Sequence, residues 1–582
     1  YEINIGDWSS DVCSSDLVLN VGESRLGSAR HPLLKFRYGK LPRYGLGEHG
    51  VTVVITATRH RAGDPGALSV ELAQKVWVAH QAEIQQRLGR PALALRLAPP
   101  GSLRYRAARR LVGRSTATSP SPWPSTWPAR LSPPSSTDHP APLDGVVLLP
   151  LTDSAPGIDE NNATVAATKS LAWIFPVTAH DAGPTPQGLD ALVASAPHDA
   201  DVVYCDEVAP GYENLTPSAP GLHTMLSYNQ LGRSVLIRRE AWLEAGGLDH
   251  TLGAEALTDL LLRLVERGAT FARATAILSW PQPPAPVALD ATRRALERRG
   301  LSGIVTRDGE RRAQWRIALP TPLPTVDIVI PTRDRLDLLR QCIDSIHTRT
   351  SYDNFRIVVL DNDSSEPATL EYLNSGAVAV TRCPGPFNYA SIINRGVAAS
   401  TADVIVTLNN DVIITDPQWL ETLVGYALLP DVGIVGPRLV NAEGVSDHDG
   451  VTIAPYPQHL QRGVNYGWDD DFVGSIRDVA AVTGACQVFE RRKWHEVHGM
   501  DESLAVTFND IDVCLRMNLA GYETLFTPYV ELIHIGKASR GTTEALDDHY
   551  RFIQYWNIGG SFNDPYCPAR LELVGPRYTV RD

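Results

Sequence analysis

The sequence predicts an α/β protein made of two tandem domains, each built on a mostly parallel, mixed β-sheet. Three observations lead to this fold class. After Pro324, short apolar runs alternate with stretches of helical periodicity. Polar clusters follow several of the apolar runs, at the strand ends where α/β sheets bind ligands. Finally, segments of the second half recur in the first half in the same order, which indicates a tandem duplication.

The composition is typical of a multidomain globular protein. The chain has 582 residues, of which 43% are hydrophobic and 20% charged, which argues against wholesale disorder. Its formal net charge of −13 disfavours binding to nucleic acid or anionic lipid, and no apolar run approaches the ~20 residues that span a bilayer. Seven scattered cysteines fit a reducing compartment. We therefore expect a cytoplasmic protein without a nucleic-acid partner, either soluble or peripheral at the inner face of the membrane.

Two stretches of the first half are unlike a folded domain. Residues 6–17 (GDWSSDVCSSDL) form a Ser/Asp-rich segment that resembles the translation of a sequencing-library adapter, so we interpret residues 1–17 as an artefact. A disordered natural terminus is the alternative. Residues 104–142 change from Arg-rich to rich in Pro, Ser and Trp. They are either a flexible insertion or the product of a local frameshift, and the residues alone leave both open.

The elements of the second half follow from its apolar periodicity. Residues 326–331 (VDIVIP), 356–360 (RIVVL) and 404–408 (VIVTL) are short apolar runs, which predict buried strands. Residues 336–346 space their apolar side chains as a helix does, and residues 390–399 predict a second helix. Strands that alternate with helices predict a sheet whose ligands bind at the carboxyl ends of the strands.

Polar clusters follow the second and third of these strands. The second strand ends on residues 361–365 (DNDSS), and the third ends on Asn409, Asn410 and Asp411. Asp411 and Asn409 offer a carboxylate and an amide oxygen, which are the kind of ligands that Mg²⁺ and Mn²⁺ prefer. A solvated turn is the alternative, because Asn and Asp also favour turns.

Three further segments carry candidate chemistry. Residues 507–516 (TFNDIDVCLR) hold Asp510, a candidate general base if it faces the same crevice, and Asp512, for which helix capping is the alternative. His534 ends an apolar run and is either a packed histidine or a metal ligand. Residues 483–486 (TGAC) form a loop of small residues, where the backbone could approach a ligand closely.

Four matches between the two halves support the duplication. The matching segments are residues 54–61 and 328–335, residues 162–167 and 394–399, residues 173–181 and the strand before Asp411, and the spaced set Asp259, Arg263 and Gly268, which matches Asp512, Arg516 and Gly521. The two copies then run over residues 48–290 and 322–560, joined by the Pro-rich linker 318–325 and followed by a tail, 561–582. The first copy lacks a carboxylate after its second strand, so we interpret it as a degenerate, structural or regulatory half.

Residues 322–560 resemble the catalytic domain of family-2 glycosyltransferases, which have the GT-A fold, a nucleotide-sugar-binding, Rossmann-like sheet. The motifs that carry the resemblance are VDIVIPTRDR, DNDSS, PGPFNYASIINRGVAAS, LNND as a variant of the DxD motif, VTGAC, FNDIDVCLR and LIHIGKASRG. PGPFNY and LNND are most similar to bacterial enzymes of O-antigen and cell-surface polysaccharide assembly, including rhamnosyltransferases. Such proteins often carry two of these domains in tandem.

The resemblance implies a role for each matching residue. Asp361 and Asp363 match carboxylates that bind the nucleoside, Asp411 and His534 match ligands of a divalent metal (Mn²⁺ or Mg²⁺), and Asp510 matches the general base. The remaining donor-site residues are Pro331, Thr332, Arg333, Asn394 and Asn410. The residues of the acceptor or sugar loop are Gly484, Ala485 and Cys486. The supporting residues are Asn409, Asp512 and Arg516.

The sequence departs from the family pattern at two of these motifs. Asn409 replaces the first Asp of the DxD motif, which weakens the negative charge of the metal site. Asn509 replaces the Glu that usually precedes the general base.

The predicted function is that of an inverting glycosyltransferase. It would move a sugar from a UDP- or dTDP-linked donor to a cell-surface glycan or a lipid-linked acceptor. A sugar nucleotidyltransferase would require a Gly-rich, basic loop after the first strand, which residues 328–339 lack. A catalytically inactive protein that binds or scaffolds glycans is the other alternative, suggested by Asn409 and by the first half.

Overall fold

The computed structural model describes most of residues 172–568 and several separate segments. Within that range it leaves out residues 179–185, 198, 210–211, 281–288, 454–455, 461–470, 537–545 and 559–561. The segments described outside it are residues 2–4, 20–26, 29–35, 52–54, 146–151, 162–163, 165–166, 571–574 and 577–580. Several predictions therefore lie outside the described residues, including the insertion at 104–142, most of the predicted strand at 54–61, and Asp181.

The chain divides into two compact units. The smaller unit comprises residues 1–123 and 540–562, and the larger comprises residues 124–539 and 563–582. The smaller unit contains the helix Leu546–Trp556 and two antiparallel strand pairs, β1 with β4 and β2 with β3. Its strands are β1 (Glu2–Asn4), β2 (Asn20–Leu26), β3 (Ala29–Lys35) and β4 (Thr52–Val54).

The first part of the larger unit is a mixed sheet of six described strands. Its strands are β5 (Val146–Leu151), β6 (Trp173–Thr178), β7 (Val202–Ala209), β8 (Tyr212–Asn214), β9 (Val235–Arg238) and β10 (Phe271–Ser279). They follow the order β10-β7-β9-β6-β5, and β8 pairs with β7. The helices of this part are α1 (Pro186–Ala194), α2 (Leu222–Ser227), α3 (Arg239–Glu244), the 3₁₀ helix His250–Glu255, α4 (Ala256–Glu266) and α5 (Asp290–Arg298).

Between this sheet and the next, β11 (Gly303–Asp308) and β12 (Arg312–Ile317) form an antiparallel hairpin. The second part of the larger unit is a ten-stranded mixed sheet of the order β15-β14-β13-β16-β23-β18-β24-β17, with β19 on β18 and β22 on β24. Its strands are β13 (Val326–Thr332), β14 (Phe355–Asp361), β15 (Ala379–Arg382), β16 (Val404–Leu408), β17 (Val412–Ile413), β18 (Val432–Val440), β19 (Ser446–His448), β22 (Arg477–Asp478), β23 (Cys486–Glu490) and β24 (Glu523–His534).

Helices and two hairpins complete this part. The helices are α6 (Leu336–Arg349), α7 (Pro367–Asn374), α8 (Tyr389–Ala399), α9 (Trp419–Ala427), α10 (Arg491–Glu496) and α11 (Asn509–Leu519). The hairpins pair β20 (Val451–Ile453) with β21 (Pro457–His459) and β25 (Leu571–Val574) with β26 (Arg577–Val580).

The predicted strands and helices of the second half are confirmed. All five residues of β16 are buried, as expected of a central strand that is apolar on both faces. Helix α6 turns one apolar face to the sheet. Its buried apolar residues are Leu338, Leu339, Cys342, Ile343 and Ile346. The strands β13, β14, β15 and β16 are parallel to one another, so their carboxyl ends lie at one edge of the sheet.

The two sheets share part of their topology. In the first sheet, β6, β9, β7 and β10 are neighbours in that order, with antiparallel, antiparallel and parallel pairing. In the second sheet, β16, β23, β18 and β24 have the same order and the same three directions. The strand before Asp411 and the strand at 173–178, which the sequence matched to each other, hold the same place in their sheets.

Among the described residues, no helix combines the length and the apolar character needed to cross a membrane. Six of the cysteines lie in the described part of the chain, and all six are buried free thiols: Cys205, Cys342, Cys383, Cys486, Cys514 and Cys567.

Candidate active site

Polar residues meet where the parallel strands of the second sheet end. Thr332 and Asp361 are direct partners in the register of β13 and β14. The side-chain amide of Asn410, which follows β16, donates to the hydroxyl of Thr332 at 3.0 Å. The two predicted strand-end clusters and Thr332, the last residue of β13, therefore converge on one edge, as the alternation of strands and helices led us to expect.

The loop after β14 is tied to the loop after β15. The Asp361 carboxylate accepts a hydrogen bond from the backbone N–H of Ser364 at 3.1 Å and pairs with Arg382. Asp363 accepts from the backbone N–H of Gly385 at 2.8 Å. Asp361 is buried and its two oxygens are engaged within the protein, whereas Asp363 is exposed and is the more accessible of the two carboxylates.

The loop after β13 is fixed by Asp334, a residue that was not predicted. Asp334 has a φ of 55°, and one oxygen of its carboxylate accepts from the backbone N–H groups of Ser365 and Glu366, both at 2.7 Å. Pro331 is half-buried, and Arg333 is exposed at the edge of this loop. The positive charge of Arg333 thus lies in an exposed position beside Asp334.

Asp411 and His534 come together through a two-residue strand pair. In the antiparallel pairing of β17 with β24, Val412 lies opposite His534, and the backbone N–H of Ile535 donates to the carbonyl of Asp411 at 2.9 Å. As a result His534 Nε2 lies 3.4 Å from Asp411 Oδ1. The sequence places these residues 123 positions apart, and the sheet makes them neighbours.

His534 has a second carboxylate on its other ring nitrogen. Its Nδ1 lies 2.7 Å from Oδ2 of Asp447, in β19. Burial lowers the pKa of His534, but the carboxylates of Asp411 and Asp447 outweigh this effect and raise the pKa to about 9. The imidazole is thus held between two carboxylates.

The Asp411–His534 pair fits a hard divalent cation with few protein ligands. Oδ1 of Asp411 is buried and accepts no hydrogen bond from the described residues. In the described part of the chain, no group of three or more His, Cys, Asp or Glu side chains is arranged to hold a metal ion. Mg²⁺ and chemically similar ions are often held by one or two protein groups together with the phosphates of a substrate. The two side chains suit that kind of site.

Asp510 is held at the start of α11. Its Oδ2 accepts from the backbone N–H of Gly484 at 2.7 Å, and its Oδ1 accepts from the N–H of Ile511 at 2.9 Å. The hydroxyl of Tyr389 donates to the carbonyl of Gly484 at 2.8 Å. A Cβ added at Gly484 would lie 3.1 Å from the Asp510 Cβ, which is closer than most Cβ contacts, so a larger residue would require Asp510 to move by a few tenths of an ångström.

A backbone hydrogen bond joins the Asp510 region to the Asp411 region. The N–H of Asn409 donates to the carbonyl of Ala485 at 2.9 Å, next to Gly484. Ala485 and Cys486 themselves are buried in the core, and burial raises the pKa of the Cys486 thiol. Within the predicted TGAC loop, the contact with Asp510 is therefore made by the backbone of Gly484.

Other predicted residues are engaged in internal contacts. Asn394 donates to the carbonyl of Met500 and accepts from its N–H, both at 2.9 Å. Arg516 Nε donates to Asp512 at 2.8 Å, and both side chains are buried. Asn509 is also buried, and its amide donates to the carbonyl of Leu504 at 3.1 Å. These contacts hold the loops around α11 in place.

Besides Asp334, three residues of the site were not predicted: Asp447, Arg382 and Tyr389. Asp447 lies in the stretch SDHDG at 446–450, and its mixture of acidic residues and histidine after a strand was a usable signal. Tyr389 lies in PGPFNY, which was matched as a motif without a role for this residue. Arg382 ends a strand next to β14, and its pairing with Asp361 depends on that register.

Part of the site lies in a stretch that is similar to a known family. Residues 327–477 match the family model described as glycosyl transferase family 2. The matched range contains β13 to β22, and with them Asp361, Asp363, Asp411 and Asp447. This stretch of the chain is therefore similar to family 2 glycosyltransferases.

Several curated proteins are similar to parts of the chain. The chain is 36% identical over 322 residues to an uncharacterised protein, y4gI, of Sinorhizobium fredii, an alignment that covers 50% of this chain and 35% of that one. It is 30% identical over 369 residues to the O-antigen biosynthesis protein RfbC of Myxococcus xanthus, covering 58% and 28%. A pre-mycofactocin glycosyltransferase of Mycobacterium tuberculosis is 28% identical over 214 residues, covering 36% and 42%. The chain thus spans about a third of the length of the first two relatives.

Two solved glycosyltransferase structures resemble parts of the chain. A mannosyltransferase of Pyrobaculum calidifontis in complex with GDP-Man and Mn²⁺ has a TM-score of 0.31 and 17% identity, over 41% of this chain and 65% of that one. The enzyme GalNAc-T7 with UDP, GalNAc and Mn²⁺ has a TM-score of 0.35 and 16% identity, over 47% and 58%.

Proposed function

We propose that the second half of the chain is an inverting glycosyltransferase that uses a nucleotide-diphospho-sugar donor. One observation carries this proposal: the Asn409–Ala485 hydrogen bond joins the Asp510 carboxylate and the Asp411–His534 pair at one edge of the sheet. A proton acceptor and a cation site in one crevice are the two parts that such a transfer requires.

In this mechanism Asp510 acts as the general base. Its carboxylate takes the proton of an acceptor hydroxyl while that oxygen attacks the anomeric carbon of the donor. The bond from the anomeric carbon to the diphosphate breaks, and the nucleoside diphosphate leaves with the electron pair. Because the attack comes from the face opposite the leaving group, the configuration at the anomeric carbon inverts. The N–H groups of Gly484 and Ile511 hold the carboxylate in place for this step.

The donor would bind along the ends of β13, β14 and β16. Asp363 is exposed there and is suited to the nucleoside, and Arg333 offers a positive charge to the diphosphate. Asp411 and His534 would hold a divalent cation, Mn²⁺ or Mg²⁺, which would neutralise the charge of the departing diphosphate. Asn409 leaves the cation site with one carboxylate fewer than a DxD motif supplies.

The first half is, in this proposal, a degenerate copy of the same domain. Asn162 exchanges hydrogen bonds with the backbone of Leu248, as Asn394 does with Met500. Leu257 stands where the alignment of Asp259 with Asp512 places Asp510. A leucine takes no proton, so this half would support the fold and leave the chemistry to the second half.

A second pair of matching contacts supports the same interpretation. Arg263 Nε donates to Asp259 at 2.8 Å, and Arg516 Nε donates to Asp512 at the same distance. These contacts preserve packing in both halves. The strand order shared by the two sheets also supports the interpretation of the first half as a copy of the same domain.

We assign the acceptor to the class of cell-surface glycans or lipid-linked glycans, and the donor to UDP- or dTDP-sugars. The name of the Myxococcus xanthus relative, an O-antigen biosynthesis protein, supports the acceptor class. A lipid-linked acceptor would place the protein at the inner face of the membrane as a peripheral protein.

The test is a transfer assay on the purified full chain across a panel of nucleotide-sugars, with and without Mn²⁺. We expect metal-dependent release of nucleoside diphosphate and a loss of 10²–10⁴-fold in Asp510→Asn, the usual contribution of a general base. Asp353→Asn, an exposed carboxylate in the loop before β14, is the matched control. Full activity in Asp510→Asn, or a folded chain that binds no nucleotide, would overturn the proposal.

A further inference from the structure

Asp447 lies against His534 on the side away from Asp411. His534 Nδ1 is 2.7 Å from Asp447, and its Nε2 is 3.4 Å from Asp411. The His534 and Asp447 side chains are 15% and 21% exposed, so they keep only partial contact with solvent. A short, partly buried contact of this kind fixes the orientation of the ring.

A β-bulge places Asp447 there. In the antiparallel pairing of β18 with β19, Leu439 lies opposite His448, and Val440 lies opposite Ser446. Asp447 is the extra residue between them, at the point where the register of the strand pair shifts. Bulges of this type re-aim a side chain and are common beside active sites. In a regular ladder, residue 447 would instead lie opposite Val440.

The geometry points to Asp447 as a positioning residue for His534: its carboxylate accepts a hydrogen bond from Nδ1–H and so directs Nε2 at a divalent cation held by Asp411. This inference rests on the proposed function, because it assigns a role within the cation site described there. Histidines that bind metals usually donate their other ring N–H to a carboxylate or carbonyl, which fixes the tautomer and the ring orientation.

The Asp411 side of the ring supports this assignment. The distance of 3.4 Å is long for an aligned N–H···O hydrogen bond, and the buried Oδ1 of Asp411 accepts no hydrogen bond from the described residues. The ring is therefore oriented by Asp447 and directed at an oxygen that accepts no hydrogen bond from the described residues. A cation between Nε2 and Oδ1 would satisfy both atoms.

The test measures Mn²⁺ affinity without turnover. Free Mn²⁺ is followed by electron paramagnetic resonance while the full chain is titrated in the presence of UDP, dTDP or GDP. We expect Asp447→Ala to raise the Mn²⁺ dissociation constant 10–100-fold. Asp447→Asn keeps an acceptor oxygen at the same place, so its loss should be smaller. Glu443→Ala removes an exposed carboxylate from the turn before β19 and should bind Mn²⁺ as the wild type does.

A spectroscopic signal separates positioning from general support of the fold. Electron spin echo modulation detects the imidazole nitrogen bound to Mn²⁺. We expect this nitrogen coupling in the wild type, its loss in His534→Gln, and its weakening in Asp447→Ala at an unchanged melting temperature. If Asp447→Ala misfolds, Asp447→Asn supplies the same comparison.

The outcomes distinguish this inference from the proposed function. If Asp447→Ala and Asp447→Asn bind Mn²⁺ with wild-type affinity and nitrogen coupling, the positioning role is wrong and the cation site stands. If the folded wild-type chain binds no Mn²⁺ with any of the three nucleotides, both the cation site and the role of Asp447 are wrong.

Discussion

His223 Nδ1 lies 2.6 Å from Oδ1 of Asp478, and neither side chain is exposed to solvent. The contact joins α2 of the first half to β22 of the second sheet. The other oxygen of Asp478 accepts from the backbone N–H and the hydroxyl of Thr224, at 2.9 Å and 3.1 Å. On its other side His223 faces Asp431 at 3.6 Å, and Asp431 is paired with Arg299. The two halves of the larger unit are thus joined by a buried ionic cluster.

The pH dependence of stability should report on this cluster. Burial lowers the pKa of His223, but Asp478 and Asp431 outweigh it and raise the pKa to about 10. An unfolded histidine titrates near 6.5. The stabilisation from His223 is therefore complete below about pH 6.5 and lost as the pH rises to about 10, at up to about 1.4 kcal/mol per pH unit.

Urea unfolding of the full chain between pH 6 and 10 measures this slope. The side chain of His223→Gln cannot take up this proton. Over that window its free energy of unfolding should therefore fall less steeply with pH than that of the wild type, by up to about 1.4 kcal/mol per pH unit, the contribution of one proton. Equal slopes in the two proteins would show that His223 is neutral in the folded state.

Removing the histidine should destabilise the protein strongly. In His223→Leu the Asp478 carboxylate stays buried without its cationic partner, which typically costs about 3–5 kcal/mol. Asp290→Ala breaks an exposed pair with Arg293 and should cost less than about 1 kcal/mol. Denaturant midpoints of the two variants check the contrast, and a His223→Leu effect as small as that of Asp290→Ala would contradict it.

Gly484→Ala should impair transfer more than folding. The added Cβ would lie 3.1 Å from the Asp510 Cβ and 3.5 Å from the Tyr389 hydroxyl, so Asp510 must shift. The required shift is a few tenths of an ångström, less than the ~1 Å displacement of a catalytic group that can cost on the order of 10²-fold in rate. We expect kcat to fall by about 10-fold or more, measured in the transfer assay.

Gly425→Ala is the matched control. Gly425 lies in α9, away from the site, and its added Cβ would make a similarly close contact, 3.2 Å from the carbonyl oxygen of Ile317. It should leave kcat unchanged. In an Asp510→Asn background, Gly484→Ala should have little further effect on kcat, because both changes act through the same carboxylate. Additive losses in the double variant would argue against that coupling.

Asp259→Asn tests whether the first half is structural. Asp259 is buried and pairs with Arg263 and Arg298. Removing its charge leaves the Arg263 guanidinium without this counter-ion, whereas Arg298 keeps its pair with Glu266, and the change should cost a few kcal/mol. The kcat of the folded protein should not change, since the proposed chemistry lies in the second half. Thermal melts and the transfer assay measure the two effects, and a lower kcat at full folding would place catalytic function in the first half.

The sequence predicted the local parts of this protein well. The apolar runs at β13, β14 and β16 and the periodicity of α6 and α8 are confirmed, because burial on a strand or a helix face follows from residues close in sequence. The convergence of Thr332, Asp361 and Asn410 also followed, because parallel strands end at one edge of a sheet.

The roles of individual side chains were harder to predict. The sequence predicted Asn394 to be a donor-site residue. In the structure, both the oxygen and the nitrogen of its amide form hydrogen bonds with the backbone of Met500. The sequence predicted Cys486 to lie in an acceptor or sugar loop. In the structure it is a buried core residue of β23. Both positions match family motifs, and a motif does not distinguish a side chain that contacts a ligand from one that holds the loop beside it.

What the sequence by itself determined is the α/β class, the order of the elements and the acidic strand ends, all of which depend on short-range patterns. What only the tertiary structure decided is which distant groups meet. His534 reaches Asp447 through a bulge in β19, and His223 reaches Asp478 across 255 positions. Such contacts depend on strand register and on packing between elements, and a shift of one residue would turn these side chains to the other face.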